Sequence, residues 1–173
     1  MADDFLLGLL SGALLTLMGF GLTVLWELWR HAREEGTVRK NLVAMLRLEN
    51  DENLKLAHYN SERIRMNLDF IRQDKYSILP LLKFRDSAWH MVSGSSSMLK
   101  TDTNDLTTIF QLYHTIHIVN QEIESREDFR QSAIATDVFY ESLSKRDVWV
   151  NQGLSDLKSR LDSAKEVLER LSK

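Results

Sequence analysis

The chain of 173 residues contains no cysteine and only one proline, Pro80. Without cysteine it cannot form a disulfide, a thiolate metal site or a cysteine nucleophile. Only three of its seven glycines follow residue 21. Because proline and glycine are the residues that most often end a helix, we expect long helices. No stretch shows a convincing strand pattern, so the sequence predicts an all-α protein.

Charge is missing from one long stretch, residues 5–26, which runs for 22 residues. As a helix it would be about 33 Å long, enough for a hydrocarbon core of about 30 Å. Its leucine, phenylalanine and valine side chains favour membrane insertion by about 4–7 kcal/mol, before glycine and threonine are counted. The stretch lacks the basic start of a signal peptide, and it is longer than the apolar part that signal peptides have. We therefore expect an uncleaved transmembrane anchor in residues 1–29 and a helical domain in residues 30–173.

Basic residues follow the predicted span directly, and they are Arg30, Arg33, Arg39 and Lys40. Since positive charge stays on the cytoplasmic side, we expect a single-pass protein with its N-terminus outside and its C-terminal domain in the cytoplasm. The lipid bilayer is then its first partner. From residue 30 onward the chain has 22 basic and 22 acidic residues. A domain of zero net charge gives no reason to expect a nucleic-acid partner.

Small residues recur along one face of the predicted span, at Gly8, Gly12, Thr16, Gly19 and Thr23. Such a stripe lets two helix backbones approach closely, and this favours self-association of the anchor. The alternative is that glycine is simply frequent in membrane helices.

The apolar spacing in the second part of the chain predicts a bundle of four to six helices. One helix is predicted over residues 37–59, and Pro80 is expected in the first turn of another that ends near Val92. The charged residues 125–132 are predicted to form a loop. The last helix carries apolar residues at alternating spacings of four and three, namely Val150, Leu154, Leu157, Leu161, Ala164, Leu168 and Leu171. They form a coiled-coil seam that docks either on the domain's own helices or on another subunit.

Five polar residues fall on or beside apolar helix stripes: Glu49, Asn50, Asn53, His117 and Asn120. One interpretation is an inward-facing ligand site. A second interpretation is a buried hydrogen-bond network, in which neighbouring residues satisfy each polar group. A third is that the helix is exposed to solvent at these positions. His114 and His117 are three residues apart, but no carboxylate stands at the spacing of a helical metal site. We therefore predict no metal site, with one of these histidines facing the core and the other facing out.

No sequence motif of an enzyme is present, neither a nucleophile elbow nor a phosphate loop, dinucleotide fingerprint or kinase signature. We expect no catalysis and no cofactor. The first functional hypothesis is that the chain is a membrane-tethered interaction or scaffolding module, which binds itself or another protein. The alternative is a sensor-effector, whose domain binds a small ligand such as a nucleotide at the five polar residues and changes how the anchors pack.

Three short patterns recur in order behind the single span: Leu46-x-x-Glu49-x-x-x-Asn53, then Ala88-Trp89, then Tyr113-x-x-Ile116-x-x-x-Asn120. In this order the chain resembles prokaryotic single-pass membrane proteins of uncharacterised function. The resemblance implies a helical cytoplasmic domain, and it brings no activity or site residues with it. Some small membrane-anchored effectors of antiphage defence have a similar layout.

Overall fold

A computed structural model describes residues 2–73, 78–94, 101–132 and 136–172, and for residues 2–17 and 32 it describes the helix without side chains. Four helices occur in these ranges: α1 (Ala2–Arg72), α2 (Ser87–Ser93), α3 (Thr103–Ser132) and α4 (Asp137–Leu171). The described ranges contain no strand, so the predicted all-α class is confirmed. The chain forms two compact units, residues 1–40 and residues 41–173, and each is described by itself.

The first unit is helical and carries exposed apolar side chains from Met18 to Trp29. Over the residues whose side chains are described, no helix has both the length and the apolar character needed to cross a membrane. Residues 5–17 of the predicted span lie outside that description, as do the side chains of Gly8, Gly12 and Thr16. The rest of the small-residue stripe is described: Thr23 donates a hydrogen bond to the Gly19 carbonyl at 2.9 Å, and beyond the local helix backbone there is open space where a Gly19 side chain would lie.

The second unit is a helical bundle in which α3 and α4 pack along each other and the C-terminal part of α1 contributes to the same core. The α4 seam lies in this core. Val150, Leu154, Leu157, Leu161, Ala164 and Leu168 are all buried, and Leu171 is partly buried against them. Of the two partners that the sequence left open, the seam therefore packs on the domain's own helices.

Two helix predictions in this unit are wrong. Residues 125–132 continue α3 rather than forming a loop, because Arg126 turns inward and is fully buried against an acidic partner. Pro80 does not start a helix: residues 78–86 form neither a helix nor a strand, and α2 begins only at Ser87. The main chain of this segment has its own source of hydrogen bonds, which lies in the side chains of α1 and α3.

Candidate functional site: an amide-clamped strap and a histidine groove

Three asparagines of α1 are spaced by seven residues and are completely buried: Asn53, Asn60 and Asn67. Seven residues are two helical turns, so the three amides lie in one row along the helix. Burying an amide without a partner costs several kcal/mol, so a row of three requires a matching row of donors and acceptors.

The matching row is the main chain of residues 78–86, which we call the strap. Asn67 accepts from the N–H of Leu79 at 2.8 Å and donates to its carbonyl at 3.0 Å. Asn60 does the same with Leu82, at 3.0 and 2.7 Å, and Asn53 with Arg85, both at 2.8 Å. Each amide thus replaces the partner that a neighbouring β-strand would supply.

The spacing of the two rows shows that the strap is extended between Leu79 and Arg85. Seven helical residues rise about 10.5 Å, and three extended residues span about 10 Å. The row of asparagines on α1 and every third residue of the strap therefore stay in step. Since Asn53 pairs with Arg85 and Asn67 with Leu79, the strap runs antiparallel to α1.

Helix α3 holds the strap from a second side. Asn120 accepts from the Phe84 N–H at 2.7 Å and donates to the Phe84 carbonyl at 2.9 Å. Glu127 accepts from the N–H of Leu81 at 2.9 Å. Leu81 and Phe84 are themselves buried in the core. The strap is therefore fixed to the bundle by polar clamps on its main chain and by two apolar side chains in the core, while Leu82 and Arg85 face outward.

A buried ion pair closes one end of this arrangement. The Arg126 guanidinium donates to Asp147 of α4 at 2.8 Å, and neither side chain is exposed. Arg126 also donates to the Leu79 carbonyl at 3.3 Å and pairs with Glu127. Burial alone would raise the pKa of Glu127, but the Leu81 N–H and the charges of Arg130 and Arg126 lower it below its ordinary value. Burial raises the pKa of Asp147 against the opposing effect of Arg126.

Glu49 binds several groups at the other end of the strap, where α2 begins. Its carboxylate accepts hydrogen bonds from the Ala88 N–H at 2.8 Å, the Ser87 hydroxyl at 2.9 Å and the Tyr113 hydroxyl at 2.7 Å. Asp86 makes no side-chain cap, so Glu49 supplies the acceptor that the first turn of α2 needs. Burial, together with the bond to Glu49, raises the pKa of Tyr113 far above its ordinary value.

The five predicted site residues are thus divided between two places. Glu49, Asn53 and Asn120 hold the strap and α2, and the fourth, Asn50, donates to the Leu161 carbonyl of α4 at 3.1 Å. Of the interpretations left open, Glu49, Asn53 and Asn120 follow the buried hydrogen-bond network. Asn50 follows it only in part, because its buried Oδ1 accepts no hydrogen bond from a described residue. The sequence interpretation missed Asn60, Asn67 and Arg126, although the seven-residue spacing from Asn53 marks the first two.

His117 is not on the core side of α3, and this part of the prediction is wrong. Both His114 and His117 are exposed, because Tyr113, Ile116 and Val119 take the inward positions. The two histidines line a shallow surface groove of about 200 Å³, here called the histidine groove, formed by Asp86, Trp89, His90, Phe110, Tyr113, His114 and His117. The Trp89 and Tyr113 rings stack at 5.0 Å in its wall. Among the described residues no group of three acidic or histidine side chains is placed to hold a metal.

Comparison with known proteins adds no family to this geometry. No protein-family model, curated protein or solved structure matches the chain. The resemblance to prokaryotic single-pass membrane proteins therefore stays a prediction from the sequence.

Proposed function

We propose that the chain is a membrane-anchored helical interaction protein. The observation that carries the proposal is the band of exposed apolar side chains at the end of the predicted span: Met18, Phe20, Leu22, Val24, Leu25, Trp26, Leu28 and Trp29, each between 40% and 69% exposed. A continuous apolar surface of this kind is unfavourable in water and calls for lipid or protein to cover it. Because the band directly follows further uncharged residues and the two together are long enough for a bilayer, lipid is the cover that the sequence favours.

The residues that follow the band suit a membrane interface. The rings of Trp26 and Trp29 lie 5.2 Å apart, and the Arg33 guanidinium lies 5.2 Å from the Trp29 ring. Tryptophan prefers the headgroup layer, and arginine beside it favours the cytoplasmic side. We accordingly propose a single pass with the N-terminus outside and residues 30–173 in the cytoplasm.

The proposal assigns an interaction role to the second unit because of how its polar groups are used. The clamping asparagines, Glu49 and the Arg126–Asp147 pair all bond to groups within the bundle, either main chain or other side chains. They fix the strap and α2 in place, and so they fix the side chains that these elements present outward. The partner is another protein or a second copy, and the stripe of Gly8, Gly12, Thr16, Gly19 and Thr23 favours association through the anchor.

Membrane anchoring is tested with Leu14→Arg plus Leu15→Arg in the full chain, measured by flotation with liposomes and by extraction with carbonate. Two arginines near the middle of the span cost about 5–7 kcal/mol, which offsets the apolar gain. We expect the unmodified chain to float and to resist carbonate, and the variant to be released. The matched control is Leu48→Arg plus Met66→Arg, which changes exposed residues of the second unit. An unmodified chain that stays with the soluble fraction would refute the anchor.

Self-association of the anchor is tested by cross-linking the full chain in liposomes. Gly8→Ile plus Gly12→Ile adds bulk to the stripe and is expected to reduce the cross-linked dimer strongly. Leu9→Ile plus Leu14→Ile is the control, because it leaves every small residue in place. Equal cross-linking in all three chains would rule out this face as the contact.

The histidine groove favours the second candidate, a membrane-tethered sensor-effector. Tyr113 lines the groove with its ring and donates to Glu49 with its hydroxyl, so a ligand in the groove would contact the hydrogen-bond partner of the carboxylate that caps α2. Aromatic faces beside imidazoles suit a planar, anionic ligand such as a nucleotide. Thermal unfolding of the full chain with a nucleotide panel tests this, because binding to the folded state alone raises the midpoint. A midpoint that no nucleotide shifts, or a shift that persists in His114→Gln plus His117→Gln, would count against it.

A further inference from the structure

A second groove lies where the strap runs along α1, and we call it the strap groove. It has a volume of about 610 Å³ and is lined by Glu52, Lys55, Leu56, Tyr59, Leu82, Lys83 and Arg85. None of these residues belongs to the histidine groove. Every side chain in the lining is accessible to solvent, since Glu52 and Leu56 are half-buried and the others are exposed.

The strap groove is elongated, and the clamps fix both of its ends. Its residues on α1 span positions 52–59, which is about 10.5 Å along the helix. At one end the amide of Asn53 holds the main chain of Arg85, and at the other the amide of Asn60 holds that of Leu82. The groove is therefore formed before any partner binds, which lowers the cost of binding. Its length matches about three residues of extended chain.

Apolar surface is exposed at the strap end and at the helix end of the same stretch. Leu82 is 43% exposed and Tyr59 is 37% exposed, and Leu56 lines the groove with them. The Arg63 guanidinium lies 4.2 Å from the Tyr59 ring and donates to the Pro80 carbonyl at 2.7 Å, so it links the ring to the strap. An apolar side chain placed between Leu82 and Tyr59 would remove surface of both residues from water.

The charges of the lining are unbalanced, because three cations stand beside one carboxylate. Arg85 pairs with Glu52 inside the groove, and Lys83 pairs with Glu124 outside it at 3.0 Å. Lys55 forms no ion pair within the part of the chain that the structure describes. The groove therefore carries one uncompensated positive charge, and this charge favours an anionic group in the occupant.

We propose that the strap groove docks an extended segment of a partner protein that carries an apolar and an acidic residue two positions apart. The apolar side chain covers Leu82 and Tyr59, and the carboxylate pairs with the Lys55 ammonium. Lys55 and Tyr59 are one helical turn apart, about 6 Å, and alternate residues of an extended segment, which face the same side, are about 6.6 Å apart. This inference rests on the proposed interaction function and names the chemistry of its partner.

The test uses the full chain in detergent micelles, with fluorotyrosine in place of tyrosine and the Tyr59 resonance assigned by Tyr59→Phe. The probes are acetyl-Glu-Ala-Leu-Ala-Glu-amide, which offers an acid on either side of the leucine, the same peptide with glutamine for both glutamates, and sodium butanoate. We expect the acidic peptide to shift the Tyr59 resonance saturably and to bind about two- to fivefold more tightly than the glutamine peptide, as one exposed ion pair would give. This preference should vanish in about 1 M salt, where charges are screened beyond about 3 Å.

Two lysine substitutions provide the matched pair. Lys55→Gln is expected to abolish the preference for the acidic peptide, whereas Lys158→Gln, which removes the same charge from an exposed position of α4, is expected to leave it unchanged. Equal binding of the two peptides, a preference that persists in Lys55→Gln, or butanoate binding as tightly as the acidic peptide would each overturn the proposal. So would the absence of any saturable shift. Liposome flotation and cross-linking of the same variants do not depend on the peptides, so they keep a failure of the proposed function distinguishable from a failed groove.

Discussion

The strap offers the sharpest perturbation, Asn60→Ala. Asn60 makes two hydrogen bonds to the main chain of Leu82, at 2.7 and 3.0 Å, and it is completely buried. Each bond contributes about 1 kcal/mol net, and a main-chain group left without a partner adds to the loss. We therefore expect the free energy of unfolding to fall by about 2–4 kcal/mol. Asn151→Ala, which removes an exposed amide from α4, should change it by less than about 0.5 kcal/mol.

Two measurements check this. Urea unfolding of the full chain in detergent micelles, followed by circular dichroism, gives the loss of stability. Hydrogen exchange gives its location: the Leu82 amide should lose about 30-fold of its protection, which corresponds to roughly 2 kcal/mol of local opening. The Leu79 and Arg85 amides keep their own asparagines and should lose less. A Leu82 amide that stays protected in Asn60→Ala would refute the clamp.

Two further predictions concern the charges around the strap. Arg126→Met leaves the Asp147 carboxylate buried without its partner, so we expect a loss of about 3–5 kcal/mol in urea unfolding, and Arg126→Met plus Asp147→Leu should recover most of it. Because the folded state lowers the pKa of Glu127, its contribution is present above the unfolded value of about 4.3 and is lost as the pH falls through the folded value. Glu127→Gln should therefore be less stable at pH 7 and lose less stability on acidification, and an unchanged acid dependence would contradict this.

The sequence predicts the helices well where the apolar period is unbroken. The seam of α4 needs only the alternation of four and three from Val150 to Leu168, and the structure buries all of it. Burial of Glu49, Asn50 and Asn53 can also be predicted from the sequence, because these polar residues occupy positions on or beside the apolar stripe of the helix. The helical period of apolar residues is enough for both predictions, since each depends only on residues of the same helix.

The strap could not be predicted in the same way, because its hydrogen-bond partners are distant in sequence. Leu82 depends on Asn60, 22 residues away, and Phe84 depends on Asn120, 36 residues away. Pro80 alone suggested a helix start, since a proline in the first turn and a proline in an extended segment look alike locally. The loop prediction for residues 125–132 is wrong for a related reason. The local pattern places Arg126 on the surface, because its buried partner Asp147 is 21 residues away.

The three asparagines hydrogen-bond to the main chain of the strap, and this has a consequence for how the protein can change over evolutionary time. Any residue except proline supplies the N–H and the carbonyl that Asn60 binds at position 82. Position 82, whose side chain is exposed, is therefore left free by the clamp to drift in related sequences, whereas the Arg85 side chain also pairs with Glu52. Asn53, Asn60 and Asn67 have no substitute that both donates and accepts at the same reach. The lineage of this fold should be traceable by three asparagines seven residues apart rather than by the segment that they hold.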